Sequence, residues 1–138
     1  MILRVNPVHR LKVETESQME MIDVTAGIRR VVKDSGIMRG MCHVFVPHTT
    51  AAITINENAD PNVRKDMIRE LLKTIPTRDD DLPVERNASA HTLSTLVGAS
   101  QSVIVENGKL VLGTWQAVYL CEFDGPRSRT VLMRIMAE

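Results

Sequence analysis

The stretch SVIVENGKLVL, Ser102 to Leu112, restricts the fold more than any other part of the chain. Asn107-Gly108 stands between two apolar runs, and the tight turn that joins strands at such a pair needs positive φ at both central positions. An antiparallel pair is therefore expected here. Strand material continues around it, in AVYLCEF and RTVLMRIM, which flank DGPRS, a second turn-like connection punctuated by Gly-Pro.

Upstream, VHRLKVET (8–15) alternates imperfectly and leads through ESQ into MEMIDV, which reads most economically as a hairpin of two short strands. Thr25 can cap a helix with an apolar stripe of Ile28, Val31 and Val32, and Gly36 sits just past its end. MCHVFV and AAITI are β-branched strand candidates broken at Pro47. Asp60-Pro61 starts a second helix, because a carboxylate caps free N–H groups and proline needs no donor in the first turn. Its expected buried face is Val63, Met67, Ile68, Leu71, Leu72 and Ile75. TRDDDLPVER (77–86) reads as a polar loop. Asn87 opens a short helix that ends near Gly98.

At 138 residues the chain suits a single domain over 1–138. The order of elements argues an α+β fold, a largely antiparallel or mixed sheet packed with about three helices. Lys plus Arg equals Asp plus Glu at 17 each, which removes the electrostatic case for nucleic acid or an acidic membrane as the main partner. A local basic patch stays open. Cys42 and Cys121 lie in apolar runs without metal-type spacing and read as buried thiols of a reducing, cytoplasmic environment. No stretch approaches the roughly 20 apolar residues of a membrane span.

Chemistry-bearing residues concentrate in a few places. His48 follows Pro47 at a strand break and stands beside two threonines, where it suits ligand or acid/base work. His43, inside an apolar strand, reads as a core or interface histidine, and His9 has no supporting cluster. Asn56, Glu57 and Asn58 precede a helix start at which Asp60 itself takes the cap. Two residues before Leu93, His91 is about 200° round the helix from the apolar stripe and shares its face with Ala88, Thr95 and Gly98. Glu122 sits among apolar neighbours and needs a partner: an arginine, a metal or a substrate proton. Arg127 and Arg129 offer either a structural ion pair or a phosphate clamp. Trp115 reads as a core or interface ring.

Three segments, PHTTAAITINENADPNV (47–63), ERNASAHTLSTLVGASQSVIVENGKLVLGTWQAV (85–118) and EFDGPRSRTV (122–131), resemble in order the signature segments of the YjbQ family, described as secondary thiamine-phosphate synthases. The resemblance implies a compact α+β subunit assembled as a homotrimer. The family's histidine before the threonines falls on His48, its helix histidine on His91, and its Glu-x-Asp-Gly turn on Glu122, Asp124 and Gly125. Arg86 departs from the glycine of many relatives.

The activity so implied joins hydroxymethylpyrimidine diphosphate to thiazole phosphate and expels pyrophosphate. On that basis His48, His91 and Glu122 are expected to form an acid/base or metal cluster, with Thr50, Asn56, Asn87, Asp124 and Arg127 orienting the substrate. Two imidazoles and a carboxylate suit zinc, whereas magnesium prefers oxygen ligands. The alternatives are a metal-dependent hydrolase built on the same cluster and a non-catalytic trimer that binds a small ligand or metal.

Overall fold

A computed structural model describes residues 6–76 and 87–138. The polar stretch 77–86, including Arg86, lies outside the described residues. The elements are β1 (His9–Glu14), β2 (Glu20–Asp23), α1 (Thr25–Ser35), β3 (Arg39–Phe45), β4 (Ala51–Glu57), α2 (Pro61–Thr74), α3 (Ala88–Val97), β5 (Ser100–Glu106), β6 (Lys109–Leu110), β7 (Gln116–Glu122) and β8 (Ser128–Ala137).

Two antiparallel sheets carry the fold: five strands in the order β1-β8-β3-β5-β6, and three in the order β2-β7-β4. Facing residues of the two sheets and one face of α1 build the main core, in which Val44, Val131 and Met133 of the larger sheet meet Ile53, Val118 and Leu120 of the smaller, with Ile28 and Val32 from the helix. The other face of the smaller sheet, including Ala52, Tyr119 and Phe123, is covered by Ala90 and Leu93 of α3, by Met67, Ile68 and Leu71 of α2, and by Ile75 just past its end. β7 is therefore buried on both faces, and from Ala117 to Glu122 no residue of it is exposed.

The hairpin at Asn107-Gly108 forms between β5 and β6, with φ of 54° and 73°. Gly36 closes α1 at φ 70°, and Asp60 caps α2 by accepting the Asn62 N–H. Elsewhere the local expectations change. Thr25 is not the cap of α1: Val24 precedes the helix, and the Thr25 hydroxyl accepts the Val118 N–H. α2 has no fully buried residue, because its apolar stripe rests half-covered on the small sheet.

The expected β1–β2 hairpin does not exist. β1 pairs with β8 and β2 with β7, in different sheets. The same holds on either side of Pro47, where β3 lies in the larger sheet and β4 in the smaller, and across DGPRS, where β7 and β8 part. The registers Glu14↔Ser128, Glu20↔Glu122, Ala51↔Glu122 and Phe45↔Leu132 bring all three crossings to one end of the molecule. This end is a seam where the chain passes three times between the sheets.

Candidate functional site

The seam gathers most of the chemistry foreseen in the sequence. Arg129 is the first inward residue of β8, on the same face as Val131, Met133 and Ile135, and is only 2% exposed. That alternation, visible in RTVLMRIM, puts Arg129 on the inward face, but Arg127 has the same parity and is set apart only because the strand begins after it, at Ser128. Glu122, fully buried, ends β7. Its Oε1 accepts from Arg129 Nε and from the Thr15 hydroxyl, both at 2.8 Å. Its Oε2 accepts from Arg129 Nη2 and from the Asp124 N–H.

Four donors fill the four lone-pair positions of a carboxylate. Burial pushes the Glu122 carboxyl up, but the bonds from Arg129, Asp124 and Thr15, with the Arg129 charge, outweigh it and hold the group below its ordinary value. Glu122 is thus an ionised counter-ion in a closed network, with nothing left for a metal or a substrate proton. The expected His48–His91–Glu122 metal set is not assembled within one chain, and among the described residues no three His, Cys, Asp or Glu side chains are arranged to hold an ion.

Thr50 belongs to the same network. Its hydroxyl accepts from Arg129 Nη2 at 2.9 Å, and its carbonyl accepts from Arg129 and from the Phe123 N–H. Thr15, with no signal in the sequence, donates to Glu122 across 107 residues and accepts the Arg127 N–H at 2.8 Å. Gly125 is required by crowding, since a Cβ there would stand 2.5 Å from the Ser17 carbonyl oxygen and 2.8 Å from Thr15 Oγ1.

His48 occupies the place where β3 stops. Continuing the register Phe45↔Leu132 would set Pro47 opposite Thr130. The chain leaves the sheet there, and His48 Nε2 accepts the Thr130 N–H at 3.0 Å. An accepting Nε2 places the proton of the neutral ring on Nδ1. Burial, then the Arg129 charge, lowers the pKa of His48 below its ordinary value, against the opposing pull of Glu122. His48 is therefore a neutral ring at pH 7, with Nδ1–H as its remaining donor.

Arg127, half-exposed, donates to the Asp124 carboxylate at 2.9 Å and to its carbonyl at 2.8 Å, and Asn87 donates to the same carboxylate at 3.1 Å. Asn87 thereby ties the start of α3 to the seam instead of capping its helix. Against this network lies a cleft of about 450 Å³, whose polar lining is His48, Thr49, Thr50, Arg127 and Arg129. It carries two guanidinium groups, an imidazole and two hydroxyls, a donor set suited to phosphate oxygens.

Two expected site residues stand apart. His91 is exposed on α3 and does not line this cleft. Asn56, six residues along from Thr50 and so about 20 Å away at strand rise, accepts the N–H of its neighbour Glu57. Trp115 is 62% exposed, which removes its core reading. His43 bonds Ser102 across the outer face of the larger sheet. Both cysteines are buried free thiols, with Cys42 pushed up to about 11 and Cys121 to about 12 by desolvation.

Residues 9–138 match the family model described as UPF0047 protein YjbQ-like. The UPF0047 protein YugU of Bacillus subtilis is 50% identical over 127 residues, covering 91% of this chain and 96% of that protein. A UPF0047 protein of Methanocaldococcus jannaschii is 40% identical over 137 residues, 99% of each chain. Among solved structures, an uncharacterized YjbQ/UPF0047 family protein of Clostridium acetobutylicum superposes with a TM-score of 0.89 at 48% identity, over 93% of this chain and 99% of that one. A protein of unknown function from Sulfolobus solfataricus gives 0.89 at 34% identity, over 96% and 97%. The chain belongs to the YjbQ/UPF0047 family. No helix among the described residues is long and apolar enough to cross a membrane.

Proposed function

We propose that the seam cleft binds a diphosphate-bearing heterocycle and catalyses its transfer, with thiamine-phosphate formation as the reaction. The observation that carries this reading is the donor-rich polar lining: His48 Nδ1–H, the Thr49 hydroxyl and Arg127, over the buried Arg129, beside a carboxylate closed to chemistry. In this reaction the C–O bond to the diphosphate breaks, a C–N bond to the thiazole nitrogen forms, and pyrophosphate carries the electron pair away. Donors fixed before the reaction stabilise that developing charge without reorganising. Arg127 takes the terminal phosphate and His48 donates to the bridging oxygen.

A divalent ion accompanying the diphosphate is part of the substrate in this reading, since Glu122 has no lone pair to offer it. The same saturation counts against the hydrolase alternative, which needs Glu122 to activate water. The working unit is a homotrimer closed through the outer face of the larger sheet, where Phe45, Ile104 and Met136 are exposed. His91 then joins a cleft only from a neighbouring copy.

The test is thiamine-phosphate formation per active site from the two precursors, with variants first checked for folding. The expected result is a turnover of about 1 s⁻¹ or more, lowered at least about 100-fold in His48→Ala and comparably in Arg127→Met. Trace turnover unchanged in both variants would refute the reading and leave a binding module. His91→Ala separates the trimeric site, which loses activity, from a site complete in one chain, which keeps it.

A further inference from the structure

A cavity of about 520 Å³ lies far from the seam, between the end of α1 and the β5–β6 hairpin. Its volume is in the usual range for small-molecule sites. Val32 and Leu110, both buried core residues, line it with the partly buried Ile37 and the exposed Met38, so the opening reaches the main core. Arg29, Lys33 and Lys109 are the only charged residues that line it, and all three are exposed. Among the described residues none of them makes an ion pair, whereas nearby Arg39 pairs with both Glu106 and Glu138.

Structural explanations cover only part of this arrangement. Lys33 lies in the last turn of α1, where a cation complements the carbonyl end of the helix. That account does not extend to Arg29, which is one helical turn earlier and repels Lys33 across the i,i+4 spacing. Lys109 arrives from a different element and stands opposite Glu106 across the hairpin, without closing to an ion pair. Three cations without an ion pair among the described residues, around an apolar floor, define a complementary ligand: an apolar body with one anionic group.

We infer that this cavity is a second ligand site, which takes a small organic anion with its apolar part on Val32 and Leu110 and its carboxylate or phosphate among Arg29, Lys33 and Lys109. The site is independent of the seam and of the reaction proposed there.

Calorimetric titration with octyl phosphate, below its micelle-forming concentration, tests the inference, with octanol and octyltrimethylammonium as matched neutral and cationic probes. Octyl phosphate is expected to bind at least about tenfold more tightly than either control, and less tightly at high salt. Lys33→Glu with Lys109→Glu is expected to abolish the preference. Lys33→Gln with Lys109→Gln, the milder pair, weakens octyl phosphate at least threefold, and Arg127→Met at the seam leaves its binding unchanged. Equal binding of all three probes, no binding of octyl phosphate, or an affinity indifferent to both lysine pairs would overturn the inference.

Discussion

The two ends of this molecule handle charge in opposite ways. At the seam, Glu122 and Arg129 are buried together, and every lone pair of the carboxylate has a donor. At the hairpin end, Arg29, Lys33 and Lys109 surround an apolar floor with no carboxylate among the lining residues. The seam needs its ion pair because three chain crossings leave strand ends without neighbours at the join between sheets. Thr15 and His48 take up backbone N–H groups that regular pairing would otherwise have satisfied, and Thr50 accepts from the buried Arg129. The hairpin end is closed by local turn chemistry and has no such demand. Charge that is fully paired holds a structure together, whereas charge left unpaired beside a cavity is available to a ligand.

This contrast can be broken at either end, most severely at the seam. Arg129→Met strands a buried carboxylate and is expected to cost about 3–5 kcal/mol in urea unfolding. Thr15→Val removes one donor to Glu122 and the acceptor for the Arg127 N–H, for about 1–3 kcal/mol by the same measurement. At the other end, Gly108→Ala imposes a side chain at φ 73°, for roughly 1–2 kcal/mol. A loss larger than that of Arg129→Met would reverse the proposed ranking of the two ends.

Smaller effects follow from protonation. The folded pKa of His48 is below its ordinary 6.5, so the unfolded chain binds more protons in that interval. The stabilising contribution is complete above 6.5 and is lost as pH falls through the folded value. Glu122, held below its ordinary 4.5, contributes fully above that value and loses its contribution on further acidification. A urea series against pH should therefore show two successive losses, the first of them missing in His48→Ala. Lys33→Gln and Lys109→Gln should stay within about 0.5 kcal/mol of the parent.

Local chemistry made some elements legible from sequence: the Asn107-Gly108 hairpin, the Asp60 cap and the Gly36 terminus each depend on neighbours within a few residues. The partition into two sheets was not legible, because VHRLKVET and MEMIDV look alike as strands whichever partner they take. β1 pairs with β8 more than 110 positions away, and nothing in the short ESQ link announces a crossing. In the site, the need of Glu122 for a partner could be read from its apolar setting, but the choice between Arg127 and Arg129 could not, since residues two apart share one face of a strand. Thr15 could not be found this way, since its role exists only once β1 lies beside β8. Asn56, expected among the substrate contacts, lies at the far end of β4 from Thr50, because the intervening residues form an extended strand.

The central claim is that Glu122 serves Arg129 and not a substrate, and a double-mutant cycle in urea tests it most directly. Glu122→Gln, Arg129→Met and the pair together should give a coupling energy of about 2–3 kcal/mol, the double variant losing far less than the sum of the singles. Losses that add within about 0.5 kcal/mol would contradict the account: Glu122 would stand free of Arg129, and its carboxylate would again be open to a metal or a proton.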